Sequence, residues 1–256
     1  MDYLTALKLV LKYKTLERRK IRSELEKSFL SDPVERVKVK GVTMYLNPVD
    51  QEISARIASS KEWENQITAM VTGLLRPNSI VVDVGANIGW YTLISARIAR
   101  QVHAFEPDPT AFSLLQKSVI TNDLRNVILH PCCAMNYDGE TELYLSRTGN
   151  KGNNSVVWHV SDHKIIVPCV RLDSIFPTET IDILKIDAEG AEPQILHGAI
   201  SMVRENRVKH VIMEWNPKSW RDGTSLIDQF EIFGLDNRRL KELPNFTCNL
   251  HLIRHD

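Results

Sequence analysis

Short apolar runs alternate with amphipathic stretches through the middle and the end of the chain. The apolar runs predict strands at residues 80–85, 102–106, 127–133, 181–187, 208–215 and 246–253. The stretches between them predict helices at residues 88–99, 110–121, 192–203 and 226–233. Strands that alternate with helices form parallel sheets with right-handed crossovers. The pattern therefore predicts one α/β domain on a mostly parallel sheet.

Other segments interrupt or precede this alternation. Residues 34–46 alternate valines with lysines, which predicts a short exposed hairpin, and residues 62–75 have helical spacing. Two further strands at residues 141–145 and 164–170 enclose a polar loop at 146–155. We expect an N-terminal helical and hairpin appendage over residues 1–60. A catalytic domain over residues 61–256 would follow, with an insertion at 139–170.

The first 30 residues combine an apolar helical stripe with a cluster of lysines and arginines. One interpretation is a cap that packs on the core with a solvated basic face. The alternative is a helix that makes weak contact with a membrane surface or a partner. Lys8 and Lys12 interrupt the apolar run before it reaches the length of a signal peptide. The chain is therefore expected to be soluble and cytoplasmic.

Composition narrows the choice of partners. Lys plus Arg and Asp plus Glu both number 32, so the formal net charge is zero and no nucleic-acid partner is expected. The four cysteines have no metal-ligand spacing, which favours core thiols in a reducing compartment over a zinc site. The oligomeric state is left open.

The strand at residues 80–85 leads into a glycine-containing turn and then a helix. Gly85 and Gly89 are expected to let the backbone approach a ligand closely. Their spacing differs from the GxGxxG of dinucleotide folds, so a pyrophosphate has no cradle here. Asp83 can instead accept the ammonium of a methionine moiety, directly or through water, while amides near Asn87 bind its carboxylate. These groups are those required to bind S-adenosylmethionine.

Glu106 ends the next predicted strand, 23 residues after Asp83. A carboxylate there accepts hydrogen bonds from both hydroxyls of a ribose and disfavours a 2′-phosphate. Taken with the glycine turn in one strand, turn, helix and strand unit, it favours a nucleoside site over a purely structural arrangement.

These motifs resemble the FkbM family of methyltransferases. The resemblance covers residues 80–215 and rests on four segments, with sequences DVGANIGWYT at 83–92, FEP at 105–107, VRLD at 170–173 and DILKIDAEGAE at 182–192. It implies a Rossmann-like class I fold with a seven-stranded, mostly parallel sheet and a terminal antiparallel strand. It also implies methyl transfer from S-adenosylmethionine, most often to a hydroxyl group of a carbohydrate, glycolipid or secondary metabolite.

The resemblance also assigns cofactor-binding residues position by position. Most come from the glycine turn and the two following strands, and Asn122 and Cys133 lie where the family approaches the ribose and adenine. The assigned residues are Asp83, Gly85, Ala86, Asn87, Gly89, Tyr91, Glu106, Asn122 and Cys133.

A hydroxyl acceptor is a poor nucleophile at neutral pH and requires a general base or a metal. Asp187, Glu189 and Glu214 follow predicted strands and can converge on the methyl group, where mutual repulsion raises the pKa of one of them. Glu192 belongs to the same group, but it also suits a helix start with Lys185 as its partner. The cluster could also bind a divalent ion, but no His or Asn at a fixed spacing supports this, so no metal ligand is assigned.

The polar loop supplies a further candidate base. His163, together with Trp158 and His159, flanks the loop and could form a lid over the acceptor. The expected partner is a small-molecule or glycan acceptor. Two other hypotheses stay open: an N- or C-methyltransferase on a small acceptor, and a degenerate cofactor-binding domain that serves as an interaction module.

Overall fold

The protein is seen in a computed structural model that describes residues 34–146, 151–220 and 225–254. In these residues the strands are, in chain order, β1 (Glu35–Val39), β2 (Val42–Leu46), β3 (Ile80–Val84), β4 (Gln101–Phe105), β5 (Val127–His130), β6 (Cys133–Ala134), β7 (Gly139–Tyr144), β8 (Lys164–Val170), β9 (Ile181–Ile186), β10 (Val208–Trp215), β11 (Phe230–Gly234) and β12 (Cys248–Arg254). The α-helices are α1 (Ile53–Ser60), α2 (Asn65–Leu74), α3 (Trp90–Ala96), α4 (Pro109–Thr121), α5 (Leu172–Ile175), α6 (Glu192–Gly198) and α7 (Ile200–Arg204), and a short 3₁₀ turn covers Lys151–Asn153.

A seven-stranded sheet forms the centre, in the order β5, β4, β3, β9, β10, β12, β11. Strand β12 is antiparallel to both of its neighbours, whereas β5, β4, β3, β9 and β10 are parallel. All five residues of β3 are buried, as expected for a central strand that is covered on both faces. The predicted fold class, including the antiparallel strand, is confirmed.

The predicted helix at residues 226–233 is wrong, because the chain there makes a turn and then β11. Leu226, Ile227 and Phe230 are buried, at a spacing that imitates the apolar stripe of a helix. The edge of β12 provides the backbone partners instead, and all five residues of β11 pair with it. The local pattern fits a helix as well as a strand, and hydrogen bonding to β12 decides in favour of the strand.

The hairpin of β1 and β2 is present, but its predicted exposure is wrong for one face. Val37, Val39, Met44 and Leu46 are buried and belong to the same hydrophobic cluster as α2 and α3. The alternation of strands therefore places the lysines outside and the valines against the sheet-covering helices.

Asn122 ties this hairpin to the end of α4. Its Oδ1 accepts from the backbone N–H of Thr43 at 2.8 Å, and its Nδ2 donates to the carbonyls of Thr43 and Ser118, both at 2.7 Å. These bonds use both polar atoms of the side chain. The expectation that Asn122 approaches a cofactor is corrected: it is a structural clamp.

The segment assigned as an insertion contains a small second sheet. Strand β8 pairs with β6 in parallel and with β7 in antiparallel fashion. Pro131 separates β5 from β6, so the single strand predicted at 127–133 is divided between the two sheets.

The basic N-terminal segment, residues 1–30, lies outside the described residues. None of the helices that the structure describes has the length and apolar character needed to cross a lipid bilayer.

Replacing Asn122 with alanine should lower the free energy of unfolding by about 1–3 kcal/mol, since it leaves buried backbone groups of the hairpin without partners. Urea unfolding followed by circular dichroism measures the change. The exposed Asn136→Ala is the matched control. Equal stability of both variants and the wild type would contradict the clamp.

Candidate active site

A cavity of about 250 Å³ opens at the carboxyl ends of β3, β4, β9 and β10. This is the edge at which parallel α/β sheets bind their ligands. One end is formed by the loop after β4 and by the second sheet, and the other by the residues after β9 and β10 with the start of α2. The residues assigned from the sequence that line it are Gly85, Ala86, Asn87, Tyr91, Glu106, Cys133, Asp187, Glu189 and Glu214.

The glycine turn between β3 and α3 forms the floor of the cavity. Gly85 and Asn87 have positive φ angles of 74° and 49°. A Cβ on Gly85 would lie 1.8 Å from the carbonyl oxygen of Asp187, and a Cβ on Gly89 would lie 2.3 Å from Leu115 Cδ1. A side chain at either position would thus collide with the protein itself, and the expectation that Gly85 lets the backbone approach a ligand closely stays a prediction. Gly89 itself does not line the cavity.

Glu106 is held by the turn and by its own loop. Its Oε2 accepts from the N–H of Asn87 and its Oε1 from the N–H of Asp108, both at 2.8 Å. Burial raises the pKa of Glu106 to about 8, although these two N–H groups act in the opposite direction. A carboxylate accepts up to about four hydrogen bonds, so each oxygen retains capacity toward the cavity. A vicinal diol fits this arrangement.

Apolar side chains line the cavity beyond Glu106. Cys132, Cys133, Ala134 and Leu143 are all buried there. Burial raises the pKa of Cys132 to about 12 and that of Cys133 well above its ordinary value, so both thiols stay protonated. The wall is neutral and suits a flat, apolar group.

Lys185 is a buried ammonium between two carboxylates. Its Nζ lies 3.2 Å from Asp187 Oδ2 and 3.8 Å from Asp83 Oδ1, and it lies 4.9 Å from the ring centroid of Tyr91. Burial lowers the pKa of Lys185, but the carboxylates of Asp187 and Asp83 outweigh it and raise the pKa above its ordinary value. Lys185 is therefore a fixed positive charge and not a base.

Asp83 lies behind the cavity wall. Its side chain is 1% exposed and its Oδ2 accepts from Thr92 Oγ1 at 2.6 Å. It does not line the cavity, so direct contact with a ligand ammonium, as expected from the sequence, is replaced by contact with Lys185.

Glu64, Asp187, Glu189 and Glu214, here called the carboxylate cluster, line the opposite end of the cavity. Burial, with the charges of Asp187 and Glu214, raises the pKa of Glu189 to about 8. Burial and the charge of Asp187 raise the pKa of Glu214 to about 7. These two groups therefore hold protons near neutral pH, as expected for carboxylates that share one site.

Glu192 has a structural role instead. Its side chain is fully buried, and its Oε1 accepts from the N–H groups of Ala188 and Gly190 at 3.0 and 3.2 Å. This is the arrangement expected at a helix start. The suggested partnership with Lys185 is wrong, because that ammonium is paired with Asp83 and Asp187.

The polar loop after β7 covers the cavity, but through different residues from those expected. Asn154 donates to Asp108 Oδ2 at 2.6 Å, and the buried Ser155 Oγ donates to the carbonyl of Glu189 at 2.8 Å. Gly152, Asn154 and Val156 line the cavity. This loop therefore touches both ends of the site.

The aromatic residues that flank the loop lie outside the cavity. His163 is exposed and its carbonyl accepts from the N–H of Leu145, so its assignment as a base is corrected. His159 packs on Tyr144, with ring centroids 4.0 Å apart. Trp158 supports the turn after β9, since a Cβ on Gly190 would lie 2.1 Å from its Nε1.

Several polar lining residues escaped sequence reasoning as site residues, among them Lys185, Glu64 and Asn154. Lys185 carried a usable signal, since a lysine between apolar neighbours of a core strand requires a partner. Glu64 and Asn154 gave no such signal in the sequence, because each lies in a polar stretch. Only the tertiary fold brings these segments to the cavity. Glu64 accepts from the hydroxyl of Tyr91 at 2.7 Å.

Comparison with known proteins identifies related chains. The family model described as Methyltransferase FkbM domain matches residues 83–238. Methyltransferase sdnD of Sordaria araneosa is 26% identical over 219 residues, covering 71% of this chain and 84% of that protein. Methyltransferase 1 of Beauveria bassiana (strain ARSEF 2860) is 28% identical over 145 residues, covering 47% and 58%. The solved structure of Methyltransferase FkbM from Methylobacillus flagellatus KT aligns with a TM-score of 0.48 and 19% identity, over 71% of this chain and 45% of that one.

Replacing Lys185 with methionine should destabilise the fold by about 3–5 kcal/mol, because it leaves the buried Asp83 without its cation. Chemical unfolding at pH 7 measures the effect. Lys209→Met removes a more exposed ion pair with Asp182 and should cost under about 1 kcal/mol. Similar losses in the two variants would contradict the role of the buried charge.

Glu189 should make stability depend on pH. Its pKa of about 8 in the folded state exceeds that of an unfolded glutamate, so the folded protein binds more protons between these values. The stability that its protonation contributes is therefore complete below about pH 4 and is lost as the pH rises to 8. Glu189→Gln should reduce this loss by about 1–2 kcal/mol after allowance for solvent screening. Thermal unfolding from pH 5 to 8 tests this, with the exposed Glu242→Gln as control; parallel pH curves for all three proteins would refute it.

Proposed function

Because the chain belongs to the FkbM family of methyltransferases, we propose that it transfers the methyl group of S-adenosylmethionine to a hydroxyl group of a carbohydrate, glycolipid or secondary metabolite. The observation that carries the cofactor assignment is Glu106, a buried carboxylate that faces the cavity with unused hydrogen-bonding capacity. A ribose diol supplies the donors that it lacks.

The rest of the cavity fits the same cofactor. The turn at Gly85, Ala86 and Asn87 lines the cavity beside Glu106. Its N–H groups already donate to the carbonyl of Phe105 and to Glu106, so the turn offers a methionine moiety a close-fitting surface and no free donor. The neutral wall of Cys132, Cys133 and Leu143 suits an adenine ring. When bound, the cofactor supplies a methyl group on a positively charged sulfur, already activated for displacement.

The chain's own residues must then position the acceptor and remove a proton. Asp187 is half-exposed toward the cavity, and its Oδ2 lies 3.2 Å from the Nζ of Lys185, which holds the carboxyl group in place. We assign Asp187 as the general base that accepts the hydroxyl proton. Glu189 and Glu214, which hold protons near neutral pH, can donate hydrogen bonds to acceptor oxygens.

The loop that carries Asn154 and Ser155 covers the reacting groups. It contacts Asp108, next to Glu106, and the turn that carries Glu189. Exclusion of water strengthens electrostatic interactions inside the site and prevents hydrolysis of the donor. Trp63, a half-buried aromatic side chain, lines the cavity together with the carboxylate cluster and provides a flat surface on which a sugar ring can stack.

The cofactor assignment predicts that S-adenosylhomocysteine binds with micromolar affinity and that Glu106→Ala weakens it tenfold or more, about 1.4 kcal/mol. Isothermal titration calorimetry at fixed salt and pH measures both. Glu242→Gln, far from the cavity, should bind as the wild type does. Absence of binding to the folded wild-type protein would refute the cofactor.

The base assignment predicts that Asp187→Asn lowers kcat about a hundredfold or more while the affinity for S-adenosylhomocysteine changes little. An acceptor is first found by screening hydroxylated sugars and metabolites with a methyl-labelled donor. The exposed Asp162→Asn serves as control. Near-normal turnover of Asp187→Asn would remove Asp187 from this role.

A further inference from the structure

The carboxylate cluster brings together more carboxyl groups than the site pairs with cations. Glu64, Asp187, Glu189 and Glu214 all line one end of the cavity. The ammonium among the described lining residues of this end, Lys185, is already in contact with Asp187 and with Asp83 behind it. A ligand in this end therefore meets a surplus of carboxylates with no unpaired counter-charge.

This surplus lies directly beside the glycine turn. A Cβ on Gly85 would be 1.8 Å from the carbonyl oxygen of Asp187, so the two backbone segments are in contact. Gly85, Lys185 and Asp187 line the same cavity. A ligand seated on the turn is thus placed against the carboxylate cluster.

We propose that the carboxylate cluster distinguishes the methyl donor from its demethylated product by charge, because the sulfonium displaces protons from Glu189 and Glu214 whereas the neutral thioether does not. This inference rests on the proposed use of S-adenosylmethionine. The two ligands share the same adenosine, ammonium and carboxylate groups, so every other charge cancels between them.

The raised pKa values of two carboxyl groups in the cluster support the proposal. The pKa of Glu189 is raised to about 8 and that of Glu214 to about 7, by burial and by neighbouring carboxylates. A cation placed beside them favours the ionised forms. The charged and titratable groups that face this end are Glu52, Glu64, Asp83, Tyr91, Lys185, Asp187, Glu192 and Cys248.

The proposed number of protons released on binding equals the number taken up after methyl transfer. Binding of the donor breaks a carboxyl O–H bond, releases the proton to solvent and leaves a carboxylate beside the sulfonium. Methyl transfer removes the positive charge from the sulfur, so the carboxylates again repel one another and take up a proton. The product then loses the favourable charge interaction that the donor had, which favours its release.

Calorimetric titration of each ligand into the full-length protein tests this without an acceptor. Measurements at pH 7.5 in phosphate and in Tris buffers, which differ in ionisation enthalpy, give the number of protons released on binding. We expect S-adenosylmethionine to release about half a proton to one proton more than S-adenosylhomocysteine. The ratio of the two affinities should also shift in favour of S-adenosylmethionine as the pH rises from 6 to 8.5.

The double variant Glu189→Gln with Glu214→Gln removes the titrating groups and keeps their size. It should lose most of the difference in proton release between the two ligands. Glu242→Gln, an exposed carboxylate outside the cavity, should retain the full difference.

The outcomes separate the two proposals. Binding of both ligands with equal proton release in the wild type overturns the charge discrimination and leaves the cofactor assignment intact. An undiminished difference in the double variant overturns the assignment to Glu189 and Glu214. Failure of either ligand to bind overturns the proposed function, and this inference with it.

Discussion

The buried ammonium of Lys185 is the charge on which the rest of the site depends. It neutralises Asp83 on β3 and Asp187 after β9, and so joins the two central strands of the sheet electrostatically. Without it, a carboxylate that is 1% exposed would have no cationic partner. With it, Asp187 is held at the cavity by an ion pair, while Glu189 and Glu214 hold protons near neutral pH. The ion pairs of Lys185 therefore contribute both to the stability of the fold and to the arrangement of the carboxyl groups in the cavity.

The loop after β7 couples the two ends of the cavity. Asn154 donates to Asp108, two residues after Glu106, and Ser155 donates to the carbonyl of Glu189 in the carboxylate cluster. The turn at Glu189 and Gly190 has positive φ angles of 51° and 99°, a conformation that needs support from its surroundings. Ser155 and Trp158 provide that support. A polar loop whose sequence has no clear structural pattern thus helps to position Glu189.

Much of the fold followed from periodicity, since five core strands and the helices between them have clear apolar patterns. The exceptions have physical causes. Residues 226–233 imitate a helix because Ile227 and Phe230 are spaced for one, but the edge of β12 offered hydrogen bonds that the local sequence does not reveal. The site was anticipated at Glu106, Asp187, Glu189 and Glu214, while His163 and Asn122 proved to lie outside it. Asn122 was assigned from the family resemblance and His163 from its position beside the polar loop, and neither fixes the direction of a side chain.

The sequence by itself determined the family, the sheet and the turn, because strand periodicity, positive-φ glycines and a carboxylate at a strand end are local properties of the chain. Tertiary structure decided which polar groups meet. Lys185 on β9 pairs with Asp83 on the neighbouring strand β3. Glu64, at the start of α2, accepts a hydrogen bond from Tyr91 at the cavity, and Asn122 is bonded to the hairpin instead. Charge pairing in a buried site depends on distances between remote segments and on the loss of water around them. Neither quantity is encoded in any short stretch of sequence.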